Sequence, residues 1–227
     1  MKRVILITML LWNIFGCQAA TPEEWANKLR YARANSELSQ TIDGSRVVLM
    51  GNSITEFWVE LRPGFFDAEH LLGRGISGQV SSQMLARFRQ DVLNLQPQIV
   101  VINCGTNDIA ENNGEYDEDI TMDNIESMTE LAQAHGIQVV LSSVLPADGF
   151  CWNTRVKDAV EKIRHLNRRI SEYCERNHLV YIDYYSLMAT PSGALNPAYT
   201  EDGVHPNAAG YEVMETALTA VLRKLKP

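Results

Sequence analysis

Apolar residues run along this chain in two rhythms. Short, largely apolar runs at 46–50, 98–104, 138–144 and 179–183 predict strands. The run at 98–104 has no polar alternation, which suits a strand covered on both faces. A further, weaker strand is expected just before Gly75. The segments between repeat their apolar residues at three- and four-residue spacing, the period of a helix with one buried face. Met84, Leu85, Phe88, Val92 and Leu95 form such a face on a helix capped by Ser81 and ended by Pro97. Further helices are predicted at 123–135, stopped by Gly136, at 156–177 and at 208–225. Near the N-terminus, Thr21-Pro22-Glu23-Glu24 supplies a cap, a proline at the first helical position and two acids in the first turn. That predicts a helix through Trp25, Leu29 and Tyr31 to about Leu38. Two stretches break the rhythm. Residues 112–119 are acidic and polar and read as a surface loop, and 146–153 is an irregular loop of aromatic and small residues.

Strands that alternate with helices predict a mainly parallel sheet with helices on both faces. In such a sheet the functional loops lie beyond the carboxyl ends of the strands. Length and composition fit one domain: 227 residues, 45% hydrophobic and 21% charged. The formal net charge of −8 argues against nucleic acid as a partner, because phosphate binding needs a basic face. Lys2 and Arg3 precede an apolar stretch at 4–15, and small residues follow at Gly16, Ala19 and Ala20. This is the layout of a signal peptide over residues 1–20, with the domain at 21–227. Ile14-Phe15-Gly16-Cys17 also has the form of a lipoprotein leader, apart from the bulky Phe15. Two routes therefore stand open: lipidation of Cys17, which would anchor the protein to a membrane, or cleavage near Ala19 or Ala20. Either makes the protein exported: periplasmic, secreted or lipid-anchored. Three cysteines remain after the leader: Cys104, Cys151 and Cys174. An odd number leaves at least one unpaired in a monomer; a Cys151–Cys174 bridge is open. No Cys or His spacing suggests a metal, and no cofactor is expected.

Four short blocks stand at predicted strand ends: Gly51-Asn52-Ser53, Gly75-Ile76-Ser77-Gly78, Gly105-Thr106-Asn107-Asp108, and Asp202-Gly203-Val204-His205. Serine is a weak nucleophile alone. It needs a base to take its proton and an acid to orient and stabilise that base. Ser53 with His205 and Asp202 supplies all three, and the spacing of Asp202 and His205 lets one loop carry acid and base. Each block also has a plainer reading. Ser53 could cap a short helix, Asp202 could form a turn before Gly203, Gly78 could be a turn glycine, and Asn107 could close an Asx turn. His70, His135, His165 and His178 read as surface or satisfied histidines.

Together, in this order, the blocks resemble the SGNH, or GDSL-like, hydrolases and esterases, over about residue 46 to the C-terminus. The resemblance implies a three-layer α/β/α, flavodoxin-like fold and a serine esterase. It implies Ser53, Asp202 and His205 as the catalytic residues. The backbone N–H groups of Ser53 and Gly78 and the Asn107 side chain would form the oxyanion hole. Asp108 is expected to support its loop. Asn52 stands where the family usually has aspartate; its expected task is to hold the loop. Phe57, Trp58, Phe150 and Trp152 are expected in exposed loops, either as staples over the sheet or as a sugar platform or acyl wall. Trp152 is the better candidate for substrate binding. The expected substrate is a small-molecule or glycan ester with a short acyl group, such as acetyl on a carbohydrate. A lysophospholipase or thioesterase of the same fold is the first alternative, and a non-catalytic glycan-binding module the second.

Overall fold

The computed structural model describes residues 20–38 and 46–225; residues 1–19 of the leader, including Cys17, lie outside them. Five strands form one sheet: β1 (Val47–Gly51), β2 (Leu71–Gly75), β3 (Ile99–Ile102), β4 (Gln138–Ser142) and β5 (Val180–Ile182). Their order is β2-β1-β3-β4-β5, and every neighbouring pair is parallel. The order reverses between β1 and β3, so the carboxyl ends of these two strands border the crevice where such sheets bind ligands.

The helices are α1 (Pro22–Trp25), α2 (Ala32–Glu37), α3 (Ser53–Leu61), α4 (Pro63–Ala68), α5 (Ser81–Asp91), α6 (Thr106–Ile109), α7 (Glu118–Ala134), α8 (Ala159–Arg176), α9 (Tyr184–Met188) and α10 (Ala208–Leu225). Alternate strand residues feed two separate cores, as the two-residue period of a strand requires. Val48, Met50, Val100, Ile102, Val139 and Leu141 pack with α5, α7 and α8. Val47, Leu49, Ile99, Val101 and Val140 pack with α3, α4, α9 and α10. Helix layers therefore cover both faces of the sheet, giving three layers, α/β/α. This explains why β1 and β3 are buried at every position and read as unbroken apolar runs.

Several boundaries differ from the sequence reading. The N-terminal helix is two short helices, broken where Asn27 takes a left-handed φ of 47°. The break turns main-chain carbonyls toward α5 and the loop before it. Gln79 Nε2 donates to the Ala26 carbonyl at 2.8 Å and Gln83 Nε2 to that of Trp25 at 2.7 Å. Ser81 is the first residue of α5 and not its cap. Val80 takes the cap position, its N–H donating to Gln83 Oε1 at 3.1 Å. That helix ends at Asp91, with a separate 3-10 turn at Leu93–Leu95. Helix α7 starts inside the stretch read as a loop, because Asp117 caps it through the Ile120 N–H at 3.0 Å. Helix α10 has the predicted bounds. Trp58 and Phe150 are buried in the two cores and not exposed in loops. Cys104, Cys151 and Cys174 are all free; Cys151 is exposed while Cys174 is buried.

Candidate active site

The β1 ladder ends at Gly51, and Asn52 then caps α3, its Oδ1 accepting the Ile54 N–H at 3.0 Å. Ser53 is thereby the first residue of that helix, where N–H groups have no partner inside the helix. Asn52 thus holds the loop by accepting, as expected. Its Nδ2 is buried without a hydrogen-bond partner among the described residues, an orphan donor that an aspartate at this position would not have.

The loop before α10 brings the other two groups to Ser53. Gly203 has a φ of +83°, a conformation that a side chain disfavours and glycine permits. Thr200 Oγ1 donates to the His205 carbonyl at 2.8 Å and accepts the Gly203 N–H at 3.0 Å, closing the turn. Within it, Asp202 Oδ1 accepts the N–H groups of Val204 (2.9 Å) and His205 (2.8 Å). Asp202 Oδ2 lies 2.6 Å from His205 Nδ1, and His205 Nε2 lies 2.9 Å from Ser53 Oγ. Partial burial pushes the Asp202 carboxyl up, but hydrogen bonds from the His205 ring and the two N–H groups outweigh it and hold the group at about 2. An ionised carboxylate only accepts, so Nδ1 carries a proton. In the neutral imidazole Nε2 is then the acceptor, facing the Ser53 hydroxyl. In that tautomer the geometry would let His205 accept the serine proton.

Asn107 lies on α6, just after β3, and is buried. Its Nδ2 donates to the Gln79 carbonyl at 2.9 Å, which leaves the second Nδ2 hydrogen uncommitted. Gly78 has a φ of +78°, so its peptide turns in a way a side chain would oppose. The 75–79 loop is pinned to α3: Glu56 Oε2 accepts from the Ser77 N–H at 2.7 Å and from its hydroxyl at 2.6 Å. Desolvation raises the Glu56 carboxyl, and the bonds from Ser77 and Arg30 outweigh it, leaving it below the ordinary carboxylate value. The fully buried Arg87 binds both strand ends. It donates through Nη2 to the carbonyls of Gly51 and Arg74, each at 2.9 Å, and through Nε to Gln79 Oε1 at 2.6 Å. Asp108 accepts the Ser81 N–H at 3.0 Å and its hydroxyl at 2.5 Å, tying α6 to α5. Burial raises this carboxyl against those bonds. Its hydrogen-bond partners are Ser81 and Thr121, which tie the loop down.

Aromatic rings flank the histidine. The Phe57 ring centroid is 5.2 Å and that of Trp152 5.9 Å from the His205 ring. Trp152 is 43% exposed, so it stands at the rim. His135 and His165 are engaged elsewhere, with the Leu131 carbonyl at 2.8 Å and with Glu118 at 2.6 Å. Among the described residues no cluster of three or more His, Cys, Asp or Glu side chains is placed to hold a metal ion. Sequence reasoning missed Glu56, Arg87, Gln79 and Asn112, which act through contacts between segments far apart in the chain and carry no local motif.

The family model for the GDSL-like lipase/acylhydrolase family matches residues 49–213, a span that contains all four blocks. The chain belongs to that family. A structure of a GDSL-like lipase from Bacteroides thetaiotaomicron is 52% identical, with a TM-score of 0.87, covering 88% of this chain and 99% of that one. A structure from Bacteroides fragilis is 53% identical, with a TM-score of 0.88, covering 89% of this chain and 99% of that one. An acetylxylan esterase from Xylanibacter ruminicola is 25% identical over 80% of this chain and 44% of its own length. This GDSL-like chain therefore spans less than half of that relative. Its α/β fold, with a five-stranded parallel sheet, is that of its structural neighbours. Among the described residues, no helix is long and apolar enough to cross a membrane.

Proposed function

We propose that this family member is a serine-type ester hydrolase working through an acyl-Ser53 intermediate. The observation that carries this is the continuous chain from Ser53 Oγ through His205 to Asp202, at 2.9 and 2.6 Å. His205 Nε2 takes the hydroxyl proton as Ser53 Oγ bonds to the ester carbonyl carbon. The carbonyl oxygen becomes an oxyanion, met by the N–H groups of Ser53 and Gly78 and the free Asn107 Nδ2 hydrogen. The intermediate collapses as His205 returns the proton to the departing alcohol. Water then gives a proton to Nε2, attacks the acyl carbon, and releases the acid and free serine. Asp202 stays ionised throughout and stabilises the imidazolium formed in each half. A binding module has no use for a serine hydroxyl aligned on an imidazole that an aspartate holds in place, so the geometry favours the enzyme over the glycan-binding alternative. Turnover of p-nitrophenyl acetate by the wild type, lost in a Ser53 variant, is the test; retained turnover in that variant would remove Ser53 as the nucleophile.

Asn107→Ala is expected to lower kcat about 100-fold or more with a smaller change in KM, because its donor matters most once the oxyanion forms. A change confined to KM would make Asn107 a ground-state binding residue.

The substrate we propose is a short acyl ester on a carbohydrate. The flanking rings of Phe57 and Trp152 support it, as does the relative named an acetylxylan esterase. Trp152→Ala should raise the kcat/KM of longer acyl esters relative to acetyl if the ring walls the acyl site. If the ring instead stacks on sugar, KM should rise for glycan esters alone. A uniform loss across all esters would contradict both.

We further propose export, on the leader at 1–20; one relative, an uncharacterised lipoprotein of Bacillus subtilis, is 26% identical over 64% of this chain and 58% of its own length. Mass spectrometry of the native N-terminus should find either a lipid-modified Cys17 or a free end near Ala20 or Thr21. Unprocessed Met1 would contradict export.

A further inference from the structure

Trp152 has a second contact that its place on the rim does not require. Its indole N–H donates to Asn112 Oδ1 at 2.8 Å. Asn112 Nδ2 donates to Asn107 Oδ1 at 2.9 Å and to the Gly78 carbonyl at 3.3 Å. Asn107 Nδ2 in turn donates to the Gln79 carbonyl at 2.9 Å. The two ends of this chain have no freedom of role. An indole N–H only donates and a peptide carbonyl only accepts. Each amide between them can satisfy both neighbours in one orientation and not in the flipped one. The Asn107 amide is therefore held with its nitrogen on the Gln79 side, and the second hydrogen of that nitrogen is the one left for an oxyanion.

We infer that Asn112 and Trp152 are positioning residues of the oxyanion hole, which fix the orientation of the Asn107 amide through a directional hydrogen-bond chain. The inference rests on the serine-esterase reading, and it gives Trp152 a role separate from walling or stacking. Asn112 and Trp152 are exposed while Asn107 is buried. A substrate lying across the rim would shield the outer links from water, so the chain is strongest when the Michaelis complex forms. Asn112 also touches the Gly78 peptide, so one side chain bonds to both residues proposed as donors from outside α3.

Substitutions separate this role from the others. Trp152→Phe keeps a ring and removes the N–H. It should lower kcat about threefold, the scale of one hydrogen bond, leaving KM and the acyl-length preference unchanged. Asn112→Asp still accepts from the indole but cannot donate to Asn107, and should lower kcat about tenfold. The decisive measurement is a double-mutant cycle on p-nitrophenyl acetate, with Ser53→Ala as the blank and thermal midpoints as a check on folding. Because Trp152 acts through Asn107, Trp152→Phe should cost nothing further in an Asn107→Ala background, and Asn112→Asp should cost clearly less there than in the wild type, since only its contact with the Gly78 carbonyl remains. Costs that multiply in that background, or an unchanged kcat in both single variants while turnover still depends on Ser53, would overturn the inference and leave the esterase reading standing. Turnover that survives in Ser53→Ala would overturn the esterase reading, and this inference with it.

Discussion

Ser53→Ala is expected to lower kcat for ester hydrolysis by roughly a million-fold, the scale seen when a triad serine or histidine is removed. The fold should be unchanged. Among the described residues Ser53 Oγ bonds to His205 alone, and alanine is a good residue for a first helical turn. His205→Ala should cost about as much, and the double variant no more than either single one, because nucleophile and base act as a unit. Steady-state rates on p-nitrophenyl acetate, corrected for background hydrolysis, check this. Losses that multiply in the double variant would mean that the two side chains do not share one step.

Asp202→Asn is expected to cost roughly 10⁴-fold in kcat, for a reason the hydrogen bonds make specific. Asp202 Oδ1 accepts two backbone N–H groups, from Val204 and His205. In an asparagine that position must remain the oxygen. The amide nitrogen then takes the place of Oδ2, 2.6 Å from His205 Nδ1, and presents a donor there. The imidazole would have to accept at Nδ1 and carry its proton at Nε2. Ser53 would lose the acceptor for its proton while the backbone stayed as it is. The same carboxylate sets a stability prediction. It is held at about 2, below its ordinary 3.8, so its contribution is fully present above about pH 4 and is lost as pH falls toward 2. The difference in denaturation midpoint between wild type and Asp202→Asn should therefore shrink across that window. A difference constant from pH 7 to pH 2 would show that the charge of Asp202 does not stabilise the folded loop.

The parts of the site legible in the sequence were those whose chemistry is local. Asp202 and His205 sit three residues apart on one turn, and the Ser53 and Asn107 blocks follow β1 and β3, whose buried runs are easily read. What stayed hidden depends on contacts between distant segments. Asn112 sits in an acidic stretch that looks like a surface loop and is one up to the start of α7, yet its amide turns back onto Asn107 and Gly78. Glu56 on α3 looks like a solvated acid, and its partner Ser77 is 21 residues away. Arg87 occupies a helix position next to apolar Phe88, and it is buried because two strand-end carbonyls and Asp91 satisfy it. The break at Asn27 was equally invisible, since the capping signal at Thr21 says where a helix starts and not how far it runs. Short helices such as α4, α6 and α9 are set by packing against the sheet and lack the length over which periodicity can be read.

The most direct test of the central claim is covalent. A fluorophosphonate transfers its phosphorus to a serine only when a neighbouring base has activated it, so the site of the adduct identifies the nucleophile without any assumption about substrate. Native protein should carry a single adduct, mapped by peptide mass spectrometry to Ser53. It should be absent from heat-denatured protein and strongly reduced in His205→Ala. An adduct on any other residue, or an unlabelled Ser53 in protein that hydrolyses esters, would contradict the account.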